Sequence, residues 1–344
     1  MAFLLNCWQV AAYRREIVPG RMLSRRIANE PLVLFRTSNG RVVAMEDRCP
    51  HRSAPLSKGK LIGDVVRCGY HGLRYDAQGK CVLIPGQGFI PPKARARTFA
   101  AVERYTMVWI WLGNQERADP ALIPDVHWMD HAQWIASEGY HRIAANYQLL
   151  NDNLLDLSHE TYVHVHTIGN EAVADAPVEV KSDDKAVYVS KEIDSCNPPP
   201  FYQYLARVSA TANVRRWQRT IYLPPGYIVI DVGVEPLEEI AGSNRVEGRV
   251  IDLITPETES SSHYFWAFAR NFRLQEAEVT EFLRDGVRST FDEDKEMLEA
   301  QQRVLGEGDH DPAYKVAIKA DAGAVQGRRL LASMIDAEAR AVAA

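Results

Sequence analysis

In Asp47-Arg48-Cys49-Pro50-His51-Arg52 and in Cys68-Gly69-Tyr70-His71 the chain places one Cys and one His close together, twice, with the 16 residues 52–67 between the two pairs. Two thiolates and two neutral imidazoles suit a [2Fe-2S] cluster with both sulfur ligands on one iron and both nitrogen ligands on the other. Replacing two thiolates by imidazole removes negative charge and raises the reduction potential, so the module reads as a one-electron relay. A structural zinc site takes the same ligand types. It pairs Cys with Cys across one turn and His with His across a helix, whereas here each loop carries one of each, shaped by Pro50 and Gly69. Strand-like runs flank the loops at Leu32–Phe35, Val42–Met45 and Val65-Val66, with turns at Asn39-Gly40, Gly59 and Gln78-Gly79. Small antiparallel hairpins are expected.

The 344 residues are enough for about two domains. A net charge of −5 and a pI near 6.1 argue against nucleic acid or an anionic membrane surface as partner. No run reaches the length of an apolar membrane span. With Cys49 and Cys68 assigned, Cys7, Cys81 and Cys196 are widely spaced and odd in number, which favours a reducing, cytoplasmic setting over a disulfide framework. Neither Arg14-Arg15 nor Arg25-Arg26 is followed by the apolar run of an export signal.

Strand patterns continue to Met107–Leu112, so a first domain is expected over 1–115 and a second over 116–344. In the second, apolar spacing by three and four predicts a helix from about Ala144 to Val165. Strands follow at Ala186–Val189, Arg219–Leu223, Tyr227–Val234, Arg249–Ile254 and His263–Ala269, then a long helix over about Glu276–Val304. A sheet framed by helices makes the fold α+β. His159 and His164 are five apart, out of phase with a regular helix, and converge only where the helix bulges or ends between them. Two histidines and a carboxylate on one face of an iron leave positions open for dioxygen and substrate. The acid is expected far along the chain, in Phe291-Asp292-Glu293-Asp294-Lys295-Glu296-Met297-Leu298-Glu299, where the sequence leaves the choice open.

Taken together, Cys49-x-His51 with Cys68-x-x-His71 and Asn153-x-x-Asp156-x-x-His159-x-x-x-x-His164 resemble the terminal oxygenase subunits of Rieske non-haem iron oxygenases. The resemblance spans most of the chain, through Asn6–Ala11, Asp47–Arg52, Asp156–His164, Ile254–Thr258, Ala269–Phe272 and Glu293-Asp294. It is greatest to the vanillate O-demethylase oxygenase branch, whose neighbours include dicamba O-demethylase and toluenesulfonate methyl monooxygenase. The resemblance implies an all-β Rieske [2Fe-2S] domain followed by a helix-grip-like catalytic domain with an antiparallel sheet. It selects Asp294 as the third iron ligand, with Asp292 as alternative, and places Asn153 near the iron. It also implies a homotrimer in which Asp156 bridges a cluster histidine of one subunit to an iron histidine of the next.

The implied activity is a monooxygenase that uses O2 and NADH-derived electrons, delivered by a separate flavin or ferredoxin-type reductase, to demethylate a methoxylated aromatic acid. Aryl-methyl hydroxylation and N-demethylation are alternatives within the family, and a plain electron carrier lies outside it. The chain has no glycine-rich dinucleotide fingerprint of its own. Arg219, Tyr227, Asp231, Asp252, Phe265, Trp266 and Arg270 are the expected substrate contacts, and Arg48, Arg52, Lys58, Lys60, Arg67 and Arg74 form a basic collar that could steer an acidic reductase. His127, His131, His141, His166, His263 and His310 are expected on the surface or in packing roles.

Overall fold

The computed structural model describes residues 3–306 and 316–343, so His310 lies outside the described residues. It divides into two units, one over Leu5–Pro124 and one from Asp125 onward. The first unit thus runs nine residues past the boundary expected at 115. The reason is local: the indole Nε1 of Trp8 donates to Asp119 O at 2.8 Å, which ties the segment after the last strand back to the first.

The first unit is built from two antiparallel sheets. Six strands lie in the order Trp8–Tyr13, Met107–Trp111, Thr98–Arg104, Val42–Glu46, Glu30–Arg36, Met22–Ile27; four short ones run Lys60–Ile62, Val65–Arg67, Arg74–Tyr75, Cys81–Leu83. Met107–Trp111 is buried at every position, as its unbroken apolar run requires. One core lies among Leu32, Leu34, Ala44, Val108 and Ile110; a second, formed by Val33, Phe35, Met45, Leu56 and Tyr75, encloses Cys49 and Cys68. Alternate residues of strand Glu30–Arg36 therefore serve opposite cores.

The second unit carries a seven-stranded antiparallel sheet in the order Ile135–Ile143, Ser261–Arg270, Val246–Thr258, Tyr227–Pro236, Val214–Leu223, Val187–Cys196, Val178–Ser182. Its helices are α1 (Tyr147–Leu155), α2 (Glu160–Val163), α3 (Glu171–Asp175), α4 (Pro200–Ala206), α5 (Ala277–Leu305) and α6 (Ala322–Ala343). The helix expected over 144–165 is broken. Asp156 takes an extended conformation (φ −117°, ψ 91°) and its carboxylate accepts from Ser158 N and Oγ, and this local capping competes with helix continuation. A 3-10 turn, Leu157–His159, precedes α2. Helix α6 was not foreseen.

Register fixes which side chains share the face bearing α5. Pairs Gln218↔Val232, Ile230↔Val250, Val250↔Phe268 and Asp252↔Trp266 put the even-numbered residues of four central strands on one side. Trp266 lies across Gly139 of the edge strand, where any Cβ would fall 1.9 Å from its ring. Fully buried, it contributes about 5 kcal/mol at roughly 25 cal/mol per Å2 over about 200 Å2.

Candidate metal centres and catalytic cavity

The two loops of the first unit are closed by the same backbone pattern. Cys49 N bonds Ala54 O and Ser53 N bonds Cys49 O, all at 2.8 Å; Cys68 N bonds Leu73 O (2.8 Å) and Gly72 N bonds Cys68 O (3.1 Å). Ser53 (φ 54°) and Gly72 (φ 73°) occupy the equivalent left-handed position, four residues after each Cys. Cys49 and Cys68 are buried, while His51 and His71 are exposed with ring centroids 4.6 Å apart. Buried sulfurs and adjacent exposed imidazoles fit a [2Fe-2S] cluster whose histidine side faces outward. Tyr75, missed from sequence, places its hydroxyl 3.1 Å from Cys49 Sγ. Burial and the neighbouring sulfur raise the Tyr75 pKa, so the phenol keeps its proton for that sulfur. Burial also pushes the Cys49 thiol up, with Tyr75 opposing.

In the second unit the break at Asp156 and the end of α2 at His164 turn both histidines toward α5. Donor atoms of His159, His164 and Asp294 lie within 4.8 Å of one another. Asp294 Oδ1 is 3.5 Å from His159 Nε2 and 3.2 Å from His164 Nε2, and accepts from Asn153 Nδ2 at 3.1 Å. The opposite ring nitrogens are held as well. His159 Nδ1 bonds Asp156 O, and His164 Nδ1 lies 2.7 Å from Glu293 Oε2. Both Nε2 atoms are thereby left toward Asp294, and the donor set fits one Fe(II) with open positions. Burial lowers the His164 pKa, but Asp294 and Glu293 override it and raise it to about 9.

The acids of α5 separate by contact. Asp292 binds His141 Nε2 (3.0 Å), whose Nδ1 accepts from Trp266 Nε1 (2.9 Å); burial lowers the His141 pKa and keeps the ring neutral. Glu293 holds His164, and Asp294 faces both histidines. Further along, Glu299 accepts from Ala144 N and Gln302 from Asn146 N, anchoring the helix beside the edge strand.

Asp156 lies at the break between α1 and the turn that carries His159, so it shares no helix face with that residue. Its carbonyl meets that ring, its carboxylate Oδ1 caps Ser158, and Oδ2 has no hydrogen-bond partner among the described residues.

A partly open cavity lies beside the triad, lined by apolar residues such as Leu157, Ile230, Val250, Phe268 and Phe291. None of the seven expected substrate contacts lines it. Arg219, Tyr227, Asp231 and Phe265 have the wrong strand parity, and Arg219 is paired with Glu192 and Asp231. Trp266 faces the helix side but is engaged with His141 and Phe291. Asp252, pushed up to about 8 by burial, accepts from Tyr264 OH inside the sheet. Arg270 donates to Phe272 O and Arg273 O. The polar residues that do line the cavity outside the triad include Glu160, Tyr202, Arg216 and Gln218. Their signal was available: Arg216, Gln218 and Thr220 alternate on a strand, opposite the apolar Val234, Val232 and Ile230 of Tyr227–Pro236.

Of the collar, Arg48, Arg52, Lys58 and Lys60 are exposed, whereas Arg67 and Arg74 pair across neighbouring strands and are half-buried. Among the other histidines, His166 is exposed, and His263 is buried with Nδ1 2.9 Å from Tyr140 OH. No helix among the described residues is long and apolar enough to cross a membrane.

Comparison with known proteins matches residues 7–94 to the Rieske [2Fe-2S] domain and residues 143–337 to the vanillate O-demethylase oxygenase C-terminal domain. The vanillate O-demethylase oxygenase subunit of Pseudomonas sp. strain HR199 is 41% identical, with 98% of this chain and 97% of that protein covered. The toluene-4-sulfonate monooxygenase system iron-sulfur subunit TsaM1 of Comamonas testosteroni is 39% identical, with 98% of each covered. The crystal structure of dicamba monooxygenase bound to 3,6-dichlorosalicylic acid superposes with a TM-score of 0.91 at 32% identity, covering 98% of this chain and 99% of that one.

Proposed function

Since this chain belongs to the Rieske oxygenases that carry a vanillate O-demethylase oxygenase C-terminal domain, we propose that it is the terminal oxygenase of a multicomponent monooxygenase that removes the methyl group of a methoxylated aromatic acid as formaldehyde. The observation that carries the reading is the convergence of His159, His164 and Asp294 beside a largely apolar cavity, in a chain whose other unit presents two buried Cys and two exposed His. Cys49, Cys68, His51 and His71 would hold the cluster, and His159, His164 and Asp294 the mononuclear Fe(II). When bound, these groups supply electron storage and dioxygen activation.

The chain's own residues orient and exclude. Glu293 and the Asp156 carbonyl keep the protons of His164 and His159 on Nδ1, and Asn153 holds the Asp294 carboxylate. Leu157, Phe268 and Phe291 keep water from an aryl ring placed over the triad.

Electrons would come from NADH through a separate reductase steered by the exposed Arg48, Arg52, Lys58 and Lys60. Tyr70 beside the cluster, and Tyr162 and Val165 beside the iron histidines, are exposed apolar surface on opposite units. They support a homotrimer in which cluster and iron of successive copies meet across Asp156. Widely spaced cysteines with no disulfide among the described residues support a cytoplasmic setting. The 39% identity to the toluene-4-sulfonate relative supports aryl-methyl hydroxylation as the second reading.

With a reconstituted reductase, formaldehyde should be released from vanillate, isovanillate, veratrate or an anisate. Hydroxymethyl products from aryl-methyl substrates without formaldehyde would favour the second reading. Iron at about three per chain separates either oxygenase from an electron carrier, which would hold about two.

A further inference from the structure

Outside the triad, the polar groups of the cavity gather on one wall. Arg216 and Gln218 lie two apart on strand Val214–Leu223 and so share a face. Tyr202 of α4 lies with its ring 5.2 Å from the Arg216 guanidinium. Glu160 joins them: Arg216 Nη2 donates to Glu160 Oε2 at 2.8 Å, Gln218 Nε2 donates to Glu160 Oε1, and Arg216 Nη1 donates to Ile168 O at 3.1 Å. All four side chains are at least nine-tenths buried.

The wall's cation is already neutralised by Glu160. Lys191, opposite Gln218 on the next strand, does not line the cavity and donates to Val173 O. What the wall leaves over is uncharged in its demands. Arg216 Nε–H and Gln218 Oε1 are buried without a partner, and Tyr202 OH has none among the described residues. Glu160 only accepts, which fixes the Gln218 amide with its nitrogen toward Glu160 and its oxygen free.

We propose that Tyr202, Arg216 and Gln218 determine specificity by taking an uncharged group that both donates and accepts a hydrogen bond, such as a ring hydroxyl beside the methyl ether, and by rejecting an anion at that position. The inference rests on the demethylation reading and adds to it which part of the substrate meets this wall. A hydroxyl donates to Gln218 Oε1 and accepts from Arg216 Nε–H or Tyr202 OH. A carboxylate there would meet Gln218 Oε1 and Glu160 with no free cation, and burying an unpaired charge is strongly unfavourable. A site that satisfies a buried donor and acceptor through the ligand discriminates against analogues lacking the group. The acid group of an aromatic acid would accordingly be directed away from this wall.

The test measures calorimetric Kd on the iron-loaded holoprotein for three ligands: 4-hydroxy-3-methoxybenzoate, 3-methoxybenzoate and 2-methoxybenzene-1,4-dicarboxylate, which carries a carboxylate in place of the hydroxyl. The hydroxylated ligand should bind about tenfold or more tighter than the second, and the third should bind weakest. In Gln218→Leu the hydroxyl preference should collapse to about twofold or less. Cluster absorbance and iron content report whether that variant folds, and Tyr202→Phe, which deletes one hydroxyl, should lower the preference about threefold. A wild-type preference below twofold, tightest binding of the dicarboxylate, or a preference undiminished in both variants would overturn the wall. Formaldehyde release is scored separately. Its absence with every methoxyarene overturns the demethylation reading, while equal release with no hydroxyl preference in Kd overturns the wall alone.

Discussion

The two metal centres differ in what they bury. At the cluster loops the sulfurs are enclosed and the imidazoles face solvent; at the iron site His164 and Asp294 are enclosed with the triad, beside a cavity. An electron relay needs an exposed edge for a partner to approach, whereas a centre that activates a small molecule needs a dry wall and open coordination positions. The support differs too. The two Cys-His loops are closed by backbone bonds within each loop, whereas His164 is held by the Glu293 side chain, 129 residues along the chain. The first site should therefore tolerate changes elsewhere, while the second should depend on how α5 docks.

The variant expected to have the largest effect acts on transfer between the centres. Asp156→Asn keeps the Ser158 cap but removes the charge proposed to bridge two subunits. Reoxidation of reduced cluster by dioxygen and substrate should slow about 10- to 100-fold, followed at the visible cluster bands, with both metals retained. Unchanged reoxidation would remove Asp156 from the route.

Glu293→Gln tests the dependence on α5. It removes the carboxylate from His164 Nδ1, and iron affinity of the mononuclear site should fall about tenfold or more by chelator competition, with the cluster unaffected. An unaltered iron affinity would leave Glu293 a surface acid.

A third difference appears with pH. In the iron-free protein the His164 pKa is raised from 6.5 to about 9 by Asp294 and Glu293 against the lowering effect of burial. The protonated ring then contributes stability that is full below about 6.5 and lost as pH rises through about 9, on the order of 3 kcal/mol. The Tm of iron-free protein should fall across that window, and iron should flatten the dependence by displacing the proton. Equal slopes with and without iron would contradict this.

The smallest effect belongs to the cluster. Tyr75→Phe removes the hydroxyl at 3.1 Å from Cys49 Sγ, and the midpoint potential should drop by roughly 60 mV, a tenfold change for one electron. An unchanged potential would show that the hydroxyl does not act on the cluster sulfur.

Legibility in the sequence follows the same division. Cys49, His51, Cys68 and His71 could be read because each pair closes its own loop through local bonds. His159 and His164 could be read as a pair, but not how they converge: Leu150 and Leu154 keep helical spacing up to a break set by Asp156 capping Ser158. The choice among α5 acids depended on His141 and His164, which no local pattern reveals. Phe265, Trp266 and Arg270 were expected at the cavity and do not line it; strand Ser261–Arg270 is buried on both faces, so alternation carried no sign. Arg219 was among the expected contacts and Arg216 was not, yet the buried Arg216 lines the cavity and the half-exposed Arg219 does not.

The division of labour between the two centres is tested most directly by a single turnover in His159→Ala. Reduced protein is mixed with dioxygen and a methoxylated benzoate, and cluster absorbance and formaldehyde are followed together. In the unmodified protein cluster oxidation and formaldehyde should rise together; in His159→Ala the cluster should assemble with its normal spectrum, stay reduced, and yield no formaldehyde. Formaldehyde at the unmodified level from His159→Ala, or loss of the cluster spectrum in that variant, would contradict two separate centres.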